Sequence, residues 1–240
     1  MPIDLKKYNF LNNTHVERPI LLENQGYCNN NYLLKTPNQN YLIREFKLLN
    51  NRKSEFNIQK KAYRKGVAAK PILLDEVEGL MICEFIEGIH KTKLKPYLLK
   101  RVALQLKKLH GIKHHKKIPP LKKNFKVKEK RVYEAFNILK KFQQEYVLGH
   151  NDLHPKNILF GKTIQFIDWE YAGVTDKYFD LAAIIIEFKL SRRDEEIFLR
   201  SYFSRDSKVN PKKLKAFKTI YKTLWRVWFE KLECGQIKVG

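Results

Sequence analysis

Residues 148–173, LGHNDLHPKNILFGKTIQFIDWEYAG, constrain this chain more than any other stretch. Two short apolar runs, 157–160 and 164–167, are bounded by Gly161 and Asp168, which is the pattern of a small β-hairpin. Three polar side chains stand at the ends of those runs: Asp152, Asn157 and Asp168. A carboxylate and an amide five residues apart across a loop, with a second carboxylate eleven residues on, make the oxygen donors and base of a Mg2+-dependent phosphoryl transfer. A hard cation takes oxygen ligands, and a hydroxyl nucleophile needs a nearby carboxylate to accept its proton. His150 and His154, at i and i+4, would form a zinc pair on a helix, but Pro155 argues for a loop.

The spacing His150-x-Asp152-x4-Asn157, with Asp168 beyond it, is the catalytic-loop pattern of kinase-like folds. His150-Asn151-Asp152-Leu153-His154-Pro155-Lys156-Asn157 resembles the catalytic loop of the choline/ethanolamine kinases, bacterial choline kinases especially, within the aminoglycoside phosphotransferase and protein-kinase-like superfamily. Ile167-Asp168-Trp169-Glu170-Tyr171 resembles their metal loop. The resemblance covers most of residues 20–230. It implies an α+β, two-lobed protein-kinase-like fold, with a small β-rich nucleotide-binding N-lobe at 1–86 and a larger, mainly helical C-lobe at 87–240. It implies Asp152 as catalytic base, Asn157 and Asp168 as Mg2+ ligands, and ATP as phosphoryl donor. His150, Glu170 and Asp180 would support the site, Asp180 by bracing the catalytic loop; the plainer reading of Asp180 is a helix cap.

In the first lobe, residues 18–22, 32–35 and 41–46 are short β-like runs separated by the turn-forming clusters Asn29-Asn30-Asn31 and Pro37-Asn38-Gln39-Asn40. The first cluster, with Gly26 just before it, stands where a kinase covers its phosphates. Asparagine tolerates positive φ and donates side-chain hydrogen bonds, so Asn29, Asn30 and Asn31 are candidates for ATP contact; an ordinary hairpin turn is the competing reading. Arg44 resembles the cation that choline kinases carry on the third strand, and Glu55 the acid that pairs with it. Glu55 in the first turn of a helix beginning near Ser54 would alternatively only offset the helix dipole. A buried strand ending in Glu84-Phe85-Ile86 resembles the hinge that pairs with adenine, and Glu84 and Ile86 are assigned to ATP on that basis.

The second lobe reads as helical, from the three- and four-residue recurrence of Leu94, Leu98, Val102, Leu106 and Leu109 and of Val132, Ala135, Phe136, Leu139 and Phe142. Tyr221, Trp225 and Trp228 share one helical face, which by spacing alone is core packing. The resemblance turns this stripe, with the acid-aromatic pair Glu187-Phe188, into a candidate cage for a quaternary ammonium, because aromatic faces attract onium cations. The implied reaction is phosphorylation of an amino alcohol, choline to phosphocholine, as used to decorate a bacterial surface lipopolysaccharide. Ethanolamine, thiamine or an aminoglycoside is the alternative acceptor, and a non-enzymatic basic binding module with relic kinase loops the alternative of another class.

Composition bounds these readings. At 240 residues and 43% apolar the chain can bury a substantial core. It shows no apolar leader and no apolar run near 18 residues, and Cys28, Cys83 and Cys234 are too scattered for zinc or a disulfide framework, so a reduced cytoplasm is the expected setting. The formal charge is +23, spread mostly along helix-like faces. Residues 113–130 hold eight lysines against the single acid Glu129, an exposed loop able to make weak contact with an anionic surface; nucleic acid is not the expected partner.

Overall fold

A computed structural model describes residues 5–11, 16–23, 29–47, 52–113, 129–203 and 208–233. The basic run 113–130 and the Gly26 loop therefore lie mostly outside the described residues. The first lobe is a five-stranded antiparallel sheet in the order β1-β2-β3-β5-β4, formed by β1 (Ile20–Leu21), β2 (Asn29–Leu34), β3 (Tyr41–Phe46), β4 (Pro71–Asp75) and β5 (Leu80–Glu84). The period of two along β3 sends Tyr41 and Ile43 to one face, where they bury with Leu34, Leu80, Ile82 and the 3-10 turns carrying Leu5, Tyr8 and Leu11. Phe46, Met81 and Cys83 form the other face, against Ala69 and partly buried Phe56 and Ile86.

Helix α1 (Lys53–Arg64) crosses that second face. Its N-cap is Arg52 rather than the expected Ser54, with no side-chain cap bond, and it ends at Gly66, whose φ of +69° suits the left-handed turn of a helix terminus. Ile58, Ala62 and Val67 bury in the same core as the second lobe, so α1 belongs to both lobes. Gln105 fastens this junction, its Nε2 donating to Gly66 O and Ile164 O, each at 2.6 Å. After β5 the chain runs against a hairpin of the second lobe: Ile89 bridges Phe160, and a Cβ on Gly161 would sit 2.6 Å from Glu87 O, so only glycine allows that approach.

The second lobe is built on α2 (Pro96–His110), α3 (Lys130–Leu139), α4 (Tyr178–Glu187), α5 (Arg192–Tyr202) and α6 (Pro211–Glu233). Eight of the ten residues of α4 are buried, which is why its sequence YFDLAAIIIE lacks a polar stripe. Two small sheets lie at its edge: β6 (Tyr146–Gly149) pairs with β9 (Gly173–Asp176), and β7 (Ile158–Phe160) with β8 (Ile164–Phe166), the hairpin expected from the sequence. Among the described residues no helix is long and apolar enough to cross a membrane.

Candidate active site

The loop between β6 and β7 is shaped by what holds its backbone. Gly149 ends β6 where a Cβ would lie 2.4 Å from Thr175 Cγ2, and Asn151 takes a left-handed φ of +68° while its Nδ2 donates to Tyr171 O at 2.9 Å. The two amides between them find one acceptor. Asp180, fully buried in the first turn of α4, accepts from His150 N at 2.7 Å and Asn151 N at 2.8 Å. His110 Nε2 lies 3.1 Å from the same carboxylate, and His110 Nδ1 lies 2.6 Å from the Tyr202 hydroxyl. Burial opposes its charge, but the bonds from His110 and the loop amides prevail and hold Asp180 below the usual carboxylate range. The N-cap of α4 is Lys177, so Asp180 stands in the helix's first turn rather than at its cap position. Desolvation lowers the proton affinity of His150, also fully buried; its Nε2 faces Ile167 O at 3.0 Å and its ring lies 4.8 Å from that of Trp169.

Asp152 and Asn157 meet across the loop. Asn157 Nδ2 donates to Asp152 Oδ2 at 2.8 Å and to Asp152 O at 2.9 Å, so the amide fixes both the carboxylate and its backbone. Asp152 Oδ1 is buried and has no hydrogen-bond partner among the described residues. Desolvation, then the charges of Asp168 and Glu170, push this carboxyl up to about 7. Burial chiefly, with the nearby His150, pushes His154 down to about 4, and its Nδ1 accepts from Lys156 N at 3.3 Å. Among the described residues no group of three or more His, Cys, Asp or Glu is arranged to hold a metal.

Asp168 follows β8 in a left-handed backbone conformation, φ +64°. Its Oδ1 accepts from Arg44 Nη2 at 2.7 Å, and Arg44 Nη1 donates to Glu55 Oε1 at 2.5 Å, so the expected strand cation and helix acid do pair. Sequence reasoning missed the next link. Arg52 Nη1 donates to Glu55 Oε2 and to Glu170 Oε2, each at 3.0 Å, closing a chain of alternating charge: Asp168, Arg44, Glu55, Arg52, Glu170. The signal that could have found Arg52 is its i, i+3 spacing to Glu55.

The asparagine cluster needs correction. Asn29, Asn30 and Asn31 are not a turn but the first half of β2, opposite Phe46, Glu45 and Arg44. Alternation puts Asn29 and Asn31 on the Arg44 face, while Asn30 turns away and donates to Glu45 at 3.0 Å. Glu84 ends β5, and Ile86 packs beside Met81 and Cys83 where the first lobe gives way to the second.

At the other end of the cleft Tyr221 donates its hydroxyl to Glu187 Oε1 at 3.1 Å, and the Tyr221 and Trp225 rings meet edge-on at 6.1 Å. Burial pushes Glu187 above its usual range. Phe188 departs from expectation: it is 4% exposed inside the helical core, so its ring packs rather than faces a ligand. Trp228 lies on α6, and its side chain falls outside the described residues.

Comparison with known proteins agrees with this geometry. A family model described as choline/ethanolamine kinase matches residues 113–221. A LicA protein of Haemophilus influenzae is 26% identical over 236 residues, covering 83% of this chain and 88% of its own. The crystal structure of the choline kinase LicA from Streptococcus pneumoniae superimposes with a TM-score of 0.77 at 23% identity, over 94% of this chain and 89% of that one. A structure of LicA in complex with AMP gives a TM-score of 0.72 at 25% identity, over 95% and 88%. In fold and in sequence this chain is similar to the choline kinases, and that similarity supports a choline-kinase-like phosphotransferase.

Proposed function

We propose that the chain transfers the γ-phosphoryl group of ATP to the hydroxyl of choline. The observation that carries this reading is Asp152, a buried carboxylate with one oxygen fixed by Asn157 and the other without a partner among the described residues. Its proton affinity, near neutrality, suits a general base. Asp152 Oδ1 accepts a hydrogen bond from the acceptor hydroxyl and then its proton as that oxygen attacks the γ-phosphorus; the bond to the β–γ bridging oxygen breaks and ADP leaves. Arg44, aimed by Glu55, takes negative charge on the phosphates. The nucleotide lies on residues 1–86, with Asn29 and Asn31 on the phosphate side and the backbone from Glu84 to Ile86 against adenine, and residues 87–240 supply the chemistry.

The donor set fits Mg2+. Asn157 spends its Nδ2 on Asp152, which leaves the amide oxygen as its ligand atom, and Asp168 offers a carboxylate whose side chain is 29% exposed. A Mg2+ ion keeps several waters and takes only one or two protein ligands besides phosphates, so the lack of a larger acid cluster among the described residues is in keeping with it. When bound, Mg2+ supplies the positive charge that offsets the phosphate oxygens during transfer.

Choline rather than another alcohol is favoured by Glu187, anchored from the core by the Tyr221 hydroxyl, beside the partly buried Trp225 ring: one carboxylate and an aromatic face recognise a single onium charge. Each ring face contributes about 0.5–2 kcal/mol to such a cation. The Streptococcus pneumoniae neighbour is described as a choline kinase, which supports the same acceptor. The test is ADP release from MgATP with choline, ethanolamine, thiamine and kanamycin, repeated with Trp225→Ala. Choline-dependent turnover well above the others is expected, with Trp225→Ala raising the KM for choline roughly tenfold, about one ring's share, and leaving that for ATP within twofold. Preference for another acceptor sinks the choline assignment, and no turnover with any sinks the phosphotransfer reading.

A further inference from the structure

Arg52 belongs to none of the motifs that the sequence displays, yet it is one of the most enclosed cations of the cleft, 6% exposed. Its guanidinium lies 4.5 Å from the centroid of the Phe46 ring at the end of β3, and its Nη1 contacts Glu55 of α1 and Glu170 of the metal loop. It therefore gathers a strand, a helix and a loop from both lobes. Glu55 is divided between two arginines, Oε1 to Arg44 and Oε2 to Arg52, and each arginine also holds one carboxylate of the metal loop.

The two ends of this chain differ. Asp168 is 29% exposed at its side chain and Glu170 is 13% exposed, so the Arg44 end opens to the cleft while the Arg52 end is closed. If Asp168 binds a cation and Arg44 serves phosphates, both draw on the groups that form their mutual bond, so this link is weakened whenever the site is loaded. Something else must keep the loop against α1 at that moment. Arg52–Glu170 is the remaining charged link between those two elements that the described geometry provides.

We propose that Arg52 is a positioning residue that holds the metal loop through Glu170, so that Asp168 stays placed to bind a cation. The inference rests on the phosphotransfer reading above. It divides the labour of the metal loop: Asp168 binds, and Glu170, held from the other lobe, keeps Asp168 in place to bind. A buried arginine that merely neutralised Glu55 would matter for stability and for nothing else.

The test is calorimetric titration of ADP into wild type, Arg52→Lys, Arg52→Met, Glu170→Gln and the Arg52→Met/Glu170→Gln double variant, at a series of Mg2+ concentrations and in EDTA. Amide exchange of residues 168–171 is followed in the metal-free proteins. Arg52→Met and Glu170→Gln should each raise the Mg2+ needed for half-maximal ADP binding about tenfold and quicken exchange in the loop. The double variant should do no worse than either single one, because both cut the same link. ADP binding in EDTA should move less than twofold, and Arg52→Lys should recover part of the Mg2+ response. An equal loss with and without Mg2+, additive effects in the double variant, or unchanged exchange would each overturn the role given to Arg52. Should Arg52→Met fail to fold, Glu170→Gln and Arg52→Lys decide the matter alone. Wild type that binds no MgADP would instead overturn the phosphotransfer reading itself.

Discussion

Two aspartates thirty residues or less apart in sequence carry opposite electrostatic burdens, and the contrast separates work from support. Asp180 is surrounded by donors, which favour its charge; Asp152 is surrounded by desolvation and by the acids Asp168 and Glu170, which oppose it. A carboxyl pushed from 3.8 up to about 7 binds its proton more tightly in the folded protein than in the unfolded chain, so stability falls as pH rises through that interval. Asn at this position keeps an oxygen for the Asn157 bond and cannot ionise. Asp152→Asn in the metal-free protein should therefore melt at the wild-type temperature near pH 4 and above it at pH 8. A gain of about 1 kcal/mol would appear as roughly 2–4 °C for a chain of this size. Turnover should fall by about three orders of magnitude or more, with ATP affinity within several-fold, since a base in the role proposed for Asp152 acts on the acceptor and not on the nucleotide. Melting curves at the two pH values and initial rates check both halves. An Asp152→Asn protein that turns over normally would remove this residue from the chemistry.

Elements rather than residues explain what could be read in advance. The hairpin β7–β8 and the loop before it were legible because pairing, turn and ligand spacing all fall within about twenty residues, where local pattern and tertiary structure agree. The pairing of β6 with β9 was not legible, because Tyr146–Gly149 meets a strand on the far side of that hairpin. Asn29, Asn30 and Asn31 carry a turn composition but are held in β2 by six registered pairs with β3, a tertiary override of local propensity. Arg44 and Glu55 were visible only through family resemblance, and Arg52 was hidden because Glu170, its partner across the cleft, is 118 residues away. His110 and Tyr202 were hidden in the same way: each ends a helix, and only the packing of α2 on α5 brings them to Asp180. That convergence makes α4 the brace of the catalytic loop. Asp180→Ala would strand two loop amides and a histidine, at a cost on the order of 3–5 kcal/mol. The expected result is a fall in melting temperature of about 10 °C, at roughly 2–4 °C per kcal/mol, whereas Tyr202→Phe, which removes one hydrogen bond, should cost about 1 kcal/mol. Thermal melts of the two variants decide it; an Asp180→Ala protein as stable as wild type would mean that α4 does not brace the loop.

Across the whole molecule the charge is divided between inside and outside. The cleft gathers Glu55, Asp152, Asp168, Glu170 and Glu187 around Arg44 and Arg52, an acidic interior within a chain of formal charge +23. The excess cations lie elsewhere, for example along a groove of about 970 Å³ between α3 and α6 lined by Arg131, Lys141, Lys212, Lys215, Lys222 and Arg226. An acidic cleft suits a singly charged onium acceptor but opposes a nucleotide bearing several negative charges until its counter-ion arrives with it. The basic exterior acts on ATP at longer range, raising the frequency of encounter without taking part in transfer. Such steering reaches about 30 Å at 0.01 M ionic strength and about 10 Å at 0.1 M. Raising KCl between those limits at saturating Mg2+ should lower kcat/KM for ATP several-fold and leave kcat nearly unchanged, because only capture depends on the distant charge. The same change should leave kcat/KM for choline steady or slightly higher, since the cationic exterior repels that substrate and screening relieves the repulsion. Initial-rate measurements at the two salt concentrations distinguish the cases: a fall in kcat would place the salt-sensitive charges inside the cleft, and an unchanged kcat/KM for ATP would leave the positive exterior without a part in nucleotide capture.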